Sequence, residues 1–531
     1  MTESDLSTAG QWELLPYDSQ IESVHISLLP TGKVIYYSGF RVYEAIPTET
    51  RLWDPKIGEI KSIPTPADLF CAGHCFLPDG RLLSTGGTLE YRDLPPIPPW
   101  LARFLRPVQP LIARIFGPYA KPMDFTGSTF LYIFDPRKEQ WEFAGDMEGG
   151  RWYPTNTLLP NGTIMLLSGF NEGGGRGKKD LSMINRRVEI FDPHKGLKLV
   201  SMIPVFPSTP GVMSHDGKAN ATFPSDYPRM LVLPRKTGEE LTYPAGKAFC
   251  AGYAPETKML NLSTWEWEDV DNLRFGGMRH DGCVVLLPLR PPHYRARVLH
   301  FGGSVKGGME AIATNSAEII DFDNPMPTWE LINFPKGKRV NGAAIILPDG
   351  NILTLSGNST ARWDDLVLGC EVFNPETGTW HDVAPMTIGR GYHATAILLP
   401  DGRVLSAGST PMGAMRLEME VYSPYYLFNG PRPVIREVGK DIEYGNPFDI
   451  TYEHGGTHIH KAVLMAPGSM THAFDMQQRY IELEIETQSH HKLVAVAPPD
   501  AHVAPPGFYM LFLLSERGVP SEAKFVQLRK I

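Results

Sequence analysis

The chain has 531 residues, a formal net charge of −9 and a sequence pI near 6.0. This length exceeds what one small hydrophobic core organises, so at least two domains are expected, and the acidic balance argues against a dedicated nucleic-acid-binding protein. The 51 glycines and 48 prolines are dispersed along the chain, which is typical of a turn-rich all-β protein rather than a disordered one.

The N-terminal segment MTESDLSTAGQWELLP contains neither a basic stretch nor an apolar core, so it does not predict a signal peptide. No run of about 18 apolar residues predicts a transmembrane helix. The cysteines are too few and too scattered for a disulfide scaffold or a CxxC zinc site. They are Cys71, Cys75, Cys250, Cys283 and Cys370. Taken alone, the N-terminal segment predicts a cytoplasmic protein.

A hairpin pattern recurs along the chain, with two short apolar runs joined by a turn such as Pro-Asp-Gly. It occurs at residues 27–39, 75–87, 157–169, 344–357 and 396–408, in stretched form at 284–303, and weakly near 221–234. Most copies are followed by a second signature such as RLWDPKIGEI or EVFNPETGTWHDV. Seven units of roughly 50–60 residues, each long enough for four strands, predict a seven-bladed kelch-type β-propeller over residues 1–430. The alternative is a sandwich of unrelated hairpins.

The kelch signature stops near residue 430, and residues 431–531 show alternating strand patterns such as FDITYEH and GFYMLFLLS. About a hundred residues of this kind predict an Ig-like β-sandwich. The fold class is therefore expected to be all-β, a propeller followed by a C-terminal Ig-like sandwich.

An insertion over about residues 90–127 interrupts the second repeat. Apolar residues, including Trp100, Phe104 and Phe116, share one helical face, and Arg103, Arg106 and Arg114 fall opposite. Such a segment could make peripheral contact with an anionic membrane through residues 97–117. It could equally be a lid or a packing element. Because it begins just past Gly87, we expect it near the mouth of the site described next.

Three chemically active side chains occupy one position, seven residues before the turn proline of different repeats. That position holds Cys71, Tyr153 and His393, before Pro78, Pro160 and Pro400, and it holds Ser23, Asp281 and Asn341 in three other repeats. In a closed propeller, equivalent positions circle the central axis at about the same height. Singly, a tyrosine or cysteine is more often part of a core. Together, sulfur, imidazole and phenol favour copper or iron over magnesium or calcium.

Two neighbouring pairs bear on this ring. Tyr392 and His393 would point to opposite faces of a regular strand, so both reach one metal only where a strand begins. The glycines at 389 and 391 permit a turn there. His280 and Asp281 occupy the same offsets in the fifth repeat. They are expected either to line a substrate pocket or to hold the ring together by hydrogen bonds.

These motifs resemble the galactose oxidase/glyoxal oxidase family of copper radical oxidases. The resemblance lies at residues 70–73 (FCAG), 151–155 (RWYPT), 391–393 (GYH), 468–472 (GSMTH), 475–479 (DMQQR), 506–512 (PGFYMLF) and 518–521 (GVPS). The Arg-Trp-Tyr form is closer to the glyoxal oxidase branch, which favours small aldehydes or simple alcohols. The family is usually exported, so the resemblance implies an extracellular or membrane-surface location.

The resemblance implies one copper ion and a protein-derived cofactor, a thioether-linked tyrosyl–cysteine formed by Cys71 and Tyr153. Copper would be held by Tyr153, Tyr392, His393 and His472, with Tyr392 acting as base. Since His472 lies in the second domain, the two domains are expected to dock closely.

Galactose oxidase has a tryptophan over its thioether, eighteen residues beyond the radical tyrosine, where this chain has Asn171. The neighbouring Phe170 is therefore a candidate stacking partner.

The resemblance implies a two-electron oxidation of a primary alcohol or small aldehyde, with O2 reduced to H2O2. One alternative is a catalytically inactive kelch propeller that binds a glycan or a protein. Another is a copper protein in which the thioether does not form. A monomer without nucleic-acid partners is expected.

Overall fold

The computed structural model describes residues 3–39, 49–92, 124–173, 183–203, 226–235, 246–305, 312–333, 336–360, 365–410, 415–456 and 458–529. The fold class predicted from the sequence is confirmed, since seven small antiparallel sheets are followed by a separate eight-stranded β-sandwich. One α-helix, Glu3–Ala9, precedes the strands, and a 3-10 turn, Tyr425–Phe428, separates the two parts. No helix in these ranges is long and apolar enough to cross a membrane. The predicted amphipathic segment 97–117 lies outside the described residues.

The seven sheets are the blades of the propeller, numbered here in chain order from the inner to the outer strand. Blade 1 is His25–Leu28, Val34–Tyr37, Thr50–Asp54 and Glu59–Ile63; blade 2 is Gly73–Phe76, Leu82–Thr85, Asp124–Asp135 and Gln140–Arg151; blade 3 is Thr155–Leu158, Ile164–Leu167, Arg187–Asp192 and Gly196–Met202; blade 4 is Arg229–Val232, Lys247–Ala251, Glu256–Asn261 and Trp267–Asn272. Blade 5 is Cys283–Leu286, Arg297–Phe301, Ser316–Asp321 and Trp329–Asn333; blade 6 is Ala343–Ile346, Ile352–Leu355, Cys370–Asn374 and Thr379–Val383; blade 7 is Ala394–Leu398, Val404–Gly408, Glu418–Ser423 and Gln11–Asp18.

The repeated hairpin forms the two inner strands of a blade. In blade 3 the inner pair is buried at every position, whereas the outer strand Gly196–Met202 alternates between exposed and half-buried residues. Inner strands are covered on both faces by neighbouring blades, which explains their continuous apolar runs. In the turn of blade 2, Gly80 has a φ of +86°, a conformation that glycine adopts without steric cost.

The propeller is closed by the start of the chain. Gln11–Asp18 pairs antiparallel with Glu418–Ser423 and so supplies the outer strand of blade 7. Main-chain hydrogen bonds within blade 7 therefore join the start of the chain to residues about 400 positions later.

The sandwich contains eight strands, of which all pairs are antiparallel except the last. Their order is Val434–Val438, Pro447–Glu453, Lys492–Val496, Tyr480–Gln488, Ile459–Met465, Gly507–Ser515, Lys524–Arg529 and Asp441–Glu443. A small hairpin, Ser469–Thr471 and Phe474–Asp475, leaves the sandwich and adds to the inner edge of blade 1. His25 is paired with Thr471 in this register, so the hairpin brings His472 to the propeller axis.

Candidate metal centre

Five of the six residues of the predicted ring share a left-handed backbone conformation with Tyr227, and Ser23 does not. The values of φ are +60° at Cys71, +66° at Tyr153, +44° at Tyr227, +51° at Asp281, +59° at Asn341 and +64° at His393. Non-glycine residues hold such a conformation only where the surrounding structure over-determines it. Main-chain hydrogen bonds supply part of that constraint, since Tyr153 N–H donates to the Cys71 carbonyl and Tyr227 N–H to the Tyr153 carbonyl, both at 2.9 Å.

Tyr227 is a ring residue that the sequence reasoning missed. It lies seven residues before Pro234, at the same offset as the others, but Arg235 follows that proline in place of the usual turn residues. Its ring centroid is 5.0 Å from those of Tyr153 and His472. Its hydroxyl donates to the carbonyl of Ala72 at 3.1 Å, and burial raises its pKa well above the ordinary value. Counting back from the irregular turn would have found it.

A buried arginine fixes the loop before several ring residues. Arg151, Arg279 and Arg339 contact Glu189, Glu318 and Glu371 at 2.6, 2.5 and 2.6 Å, and Arg390 lies 3.8 Å from Glu420. Each guanidinium also donates to a main-chain carbonyl at the end of the second strand of the hairpin, on Ser168, Gly302, Ser356 and Gly408. Because both charges of a pair are buried, the pair is stable only while both partners and these extra hydrogen bonds are present.

We expect Arg390→Met to destabilise the fold by about 3–5 kcal/mol, because Glu420 would remain buried without its cation. Arg339→Met is the matched control and should cost a similar amount. Arg390 leads into Tyr392 and His393, whereas Arg339 leads into Asn341, which is not a predicted ligand. Denaturant unfolding measures the first effect, and copper titration of the folded proteins should show weaker binding for Arg390→Met alone. Equal copper affinity in the two variants would contradict the positioning role of Arg390.

The five predicted residues of the centre lie together at the axis. The hydroxyl oxygens of Tyr153 and Tyr392 are 2.7 Å apart, and Cys71 Sγ is 3.9 Å from His472 Nε2. The ring centroids of His393 and His472 are 4.8 Å apart in an edge-to-face arrangement, and those of Tyr153 and His472 are 5.0 Å apart. Four of the five side chains are buried, and Tyr392 is half-buried. Tyr392 is therefore the member that faces the more open side of the site.

The backbone turns at His393 so that two adjacent residues face the same centre. The strand begins only at Ala394, and the Ala394 N–H donates to the Gly391 carbonyl at 2.9 Å. The rings of Tyr392 and His393 are consequently 3.9 Å apart with an angle of 31° between their planes. The turn therefore lies in the left-handed His393 itself, after the glycines that the sequence singled out.

Hydroxyl groups set the tautomers of both imidazoles. The Thr471 hydroxyl donates to the Val24 carbonyl, so it accepts from Nδ1–H of His472, 2.7 Å away. The Thr410 hydroxyl likewise donates to Glu22 Oε1 and accepts from Nδ1–H of His393 at 3.0 Å. Each ring therefore keeps a lone pair on Nε2, the arrangement that metal-ligating histidines show.

The donor set fits copper. Burial lowers the pKa of His472 well below its usual range, with His393 and Arg229 adding to the effect, so His472 is neutral and free to ligate. Among the described residues, no group of three or more histidine, cysteine, aspartate and glutamate side chains is arranged to hold a metal. Binding here depends on the phenol oxygens of Tyr153 and Tyr392 beside the two imidazoles. Imidazole and phenolate donors suit copper rather than magnesium or calcium.

Glu22 was not singled out from the sequence, although its side chain is 2% exposed and its Oε1 lies 3.4 Å from His393 Nδ1. Since a carboxylate next to a ligating histidine orients the ring and raises its basicity, we expect Glu22→Gln to weaken copper binding about tenfold. Glu13→Gln, on the exposed face of the neighbouring strand, is the control. Isothermal titration with a competing chelator measures both, and an unchanged affinity in Glu22→Gln would refute this role.

Tyr153 lies in a buried cluster with Cys71 and Phe170. Burial raises the pKa of Tyr153 well above its ordinary value, and the adjacent Cys71 and Tyr392 raise it further. The indole of Trp152 has its ring centroid 4.1 Å from that of Tyr153, at an interplanar angle of 37°. Phe170 is joined to Trp152 by two main-chain hydrogen bonds of 2.9 and 2.7 Å. Trp152 is therefore a second candidate for covering the thioether position, with Phe170 beside it.

On another part of the ring, the Tyr253 hydroxyl donates to Asp281 Oδ1 at 2.8 Å, and the rings of Tyr253 and His280 are 4.7 Å apart. These contacts tie the His280–Asp281 pair to blade 4.

The ends of the insertion pair with each other, Thr88 opposite Gly127. The C-terminal end of the insertion, at Gly127, lies close to the Phe170 carbonyl. Its predicted place at the mouth of the site remains a prediction.

The chain is similar to several known proteins. A family model described as glyoxal oxidase N-terminus matches residues 278–426, and one described as galactose oxidase-like, early set domain matches residues 432–528. The chain is 27% identical to "Aldehyde oxidase GLOX" of Vitis pseudoreticulata, over 98% of this chain and 97% of that protein. It is 24% identical to "Galactose oxidase" of Gibberella zeae, over 96% of this chain and 69% of that protein.

A solved structure also matches, described as a novel fungal alcohol oxidase with catalytic diversity among the AA5 family, in complex with copper. Its TM-score is 0.76, the match covers 98% of this chain and 100% of that chain, and the sequence identity is 22%. At this identity the match shows that the two chains share a fold.

Proposed function

We propose that this chain, whose resemblance to the galactose oxidase/glyoxal oxidase family of copper radical oxidases extends over nearly its whole length, oxidises a primary alcohol or a small aldehyde by two electrons. The observation that carries the proposal is the convergence of two phenol oxygens, two imidazoles with Nε2 lone pairs and one thiol at the propeller axis. For an alcohol the balanced reaction is RCH2OH + O2 → RCHO + H2O2.

Four side chains would hold the copper ion: Tyr153, Tyr392, His393 and His472. Bound copper supplies a one-electron redox couple. A tyrosine radical on Tyr153, stabilised by a thioether to Cys71, would supply the other electron vacancy, so that neither flavin nor nicotinamide is needed. The thioether matters because a sulfur substituent on the phenol ring lowers the potential required to hold the radical.

Tyr392 would act as the base: its phenol oxygen Oη would accept the hydroxyl proton of the substrate. It is the half-buried member of the site, so an entering alcohol can reach it. A free tyrosine has a pKa of about 10 and is a poor base near neutral pH. A bound cation next to Tyr392 would make the phenol lose its proton more readily, as its role as base requires.

The surroundings of Tyr153 would protect a radical from solvent. Cys71 is fully buried, and the buried cluster around the pair includes Phe474 from the hairpin of the second domain and Met476 just after it. Trp152 covers the phenol ring at 4.1 Å. A water-excluded site of this kind limits side reactions of an oxidising species.

The proposal is tested by loading the protein with one equivalent of Cu2+ in air. We expect the intact mass to fall by two hydrogens, broad visible to near-infrared absorption to appear after oxidation, and H2O2 to form with some member of a panel of primary alcohols, small aldehydes and galactose. An unchanged mass together with no H2O2 from any substrate would overturn the proposal and favour a binding propeller. Turnover without the mass change would indicate a copper protein that works without the thioether.

A further inference from the structure

His25 is a fully buried residue that lies against the Cys71 main chain. It begins the inner strand of blade 1, and its Nε2 accepts a hydrogen bond of 3.0 Å from the Cys71 N–H. Because Nε2 is the acceptor, the ring proton of His25 is on Nδ1. Nδ1 has no hydrogen-bond partner within the part of the chain that the structure describes. The contact with Cys71 is thus a specific use of this imidazole.

The peptide groups on both sides of Cys71 are held at once. The Cys71 N–H donates to His25, and the Cys71 carbonyl accepts from the Tyr153 N–H at 2.9 Å. Cys71 has a left-handed φ of +60°, which only a well-constrained cysteine maintains. Fixing this conformation also fixes the direction in which Sγ leaves the main chain.

His25 is itself held rigidly. Its ring stacks on Tyr37 at 4.7 Å with an interplanar angle of 10°, and it lies edge-on to His74 at 5.1 Å. Its main chain pairs with Tyr37 on one side and with Thr471 on the other. Because Nε2 accepts from an amide N–H, it carries no proton and the imidazole is neutral. A rigid, neutral imidazole is suited to act as a fixed acceptor.

We propose that His25 is a positioning residue for the formation of the Cys71–Tyr153 thioether, an inference that rests on the proposed function. The Cys71 S–H bond and one C–H bond of the Tyr153 ring next to the hydroxyl break, and an S–C bond forms. Two protons and two electrons pass to O2, which becomes H2O2. The reaction needs Sγ held at that ring carbon, and the N–H···Nε2 hydrogen bond maintains the Cys71 conformation that holds it there.

Two substitutions of His25 distinguish the effect of its hydrogen-bond acceptor from the effect of its aromatic ring. His25→Phe keeps an aromatic ring to stack on Tyr37 but has no acceptor, whereas His25→Gln keeps an acceptor oxygen and loses the ring. We expect copper to trigger cross-linking about ten- to a hundredfold more slowly in His25→Phe. The loss of two hydrogens, monitored by intact mass over time, measures this rate. His25→Gln should stay within a fewfold of the unmodified protein.

His300→Phe is the matched control. His300 is also buried, lies on a strand of blade 5, and has two ring nitrogens without partners among the described residues. The His300→Phe variant should form the cross-link at the rate of the unmodified protein. Copper affinity, measured anaerobically, should be the same in all variants because the four proposed ligands are retained. A merely structural role would weaken copper binding and cross-linking together.

Two further results would overturn the inference: cross-linking in His25→Phe at the rate of the unmodified protein, or equal slowing in His25→Phe and His25→Gln. Should His25→Phe fail to fold by thermal unfolding, His25→Leu provides the same comparison. An unmodified protein that never loses the two hydrogens would refute the thioether itself, and so the proposed cofactor, which is distinguishable from failure of the His25 assignment alone.

Discussion

Copper-loaded Cys71→Ser is expected to keep its full mass in air, to show no radical absorption and to lose at least about a thousandfold in kcat. Serine is close to cysteine in size but forms no thioether, so the fold is retained while the cofactor is not made. Cys71 is fully buried in a cluster with Tyr153, whereas Cys75, Cys250, Cys283 and Cys370 pack in other clusters. Intact mass, visible spectrum and H2O2 production measure the three effects on one sample.

The hairpin itself offers the control. Cys75 is also fully buried but packs in a different cluster, between blades 2 and 3. Burial raises the pKa of its thiol, which makes it a poor nucleophile. Cys75→Ser should therefore show the mass loss and activity of the unmodified protein. Retention of the full mass loss by Cys71→Ser would refute the cofactor assignment.

For Tyr392→Phe we expect kcat/KM to fall by about 10²–10⁴, the usual contribution of a general base, while the thioether still forms. The substitution removes the half-buried hydroxyl that lies 2.7 Å from that of Tyr153 and leaves Cys71, Tyr153 and both histidines in place. Steady-state kinetics with the best alcohol of the panel measure the loss, and intact mass verifies the cross-link.

Tyr227→Phe provides the comparison for Tyr392→Phe. Tyr227 is another ring tyrosine, but its hydroxyl is buried and already donates to the Ala72 carbonyl. Losing that hydrogen bond should cost only about 0.5–1.5 kcal/mol of stability and leave kcat/KM within tenfold. Equal losses of kcat/KM in the two variants would show that Tyr392 is not the base.

The repeats made the fold and three of the five predicted site residues accessible from the sequence. A Pro-Asp-Gly turn is local information, so counting back from Pro78, Pro160 and Pro400 aligns Cys71, Tyr153 and His393 without knowledge of the blades. Tyr227 obeys the same count, and only the irregular turn after Pro234 hid it.

Other members of the site had no local signal. Glu22 and Thr410 are hydrogen-bonded across 388 residues, and the closure of the propeller is what brings them together. Trp152 is next to Tyr153, and in an extended chain the two side chains would point apart. Their rings meet because Tyr153 has a φ of +66°, and no residue pattern in the sequence predicts this backbone conformation. Long-range closure and left-handed non-glycine residues are therefore the features that required the structure.

The hairpin Ser469–Thr471 and Phe474–Asp475 has a consequence for biosynthesis. Blade 7 is incomplete until Glu418–Ser423 emerges from the ribosome to meet Gln11–Asp18, and His472 follows later still. A nascent chain that displays Tyr153 and His393 therefore lacks its last imidazole donor until nearly the whole polypeptide has been made. If the proposed copper centre forms, the order of synthesis would delay its assembly until the propeller is closed, and oxidative chemistry would not begin in a partly folded chain.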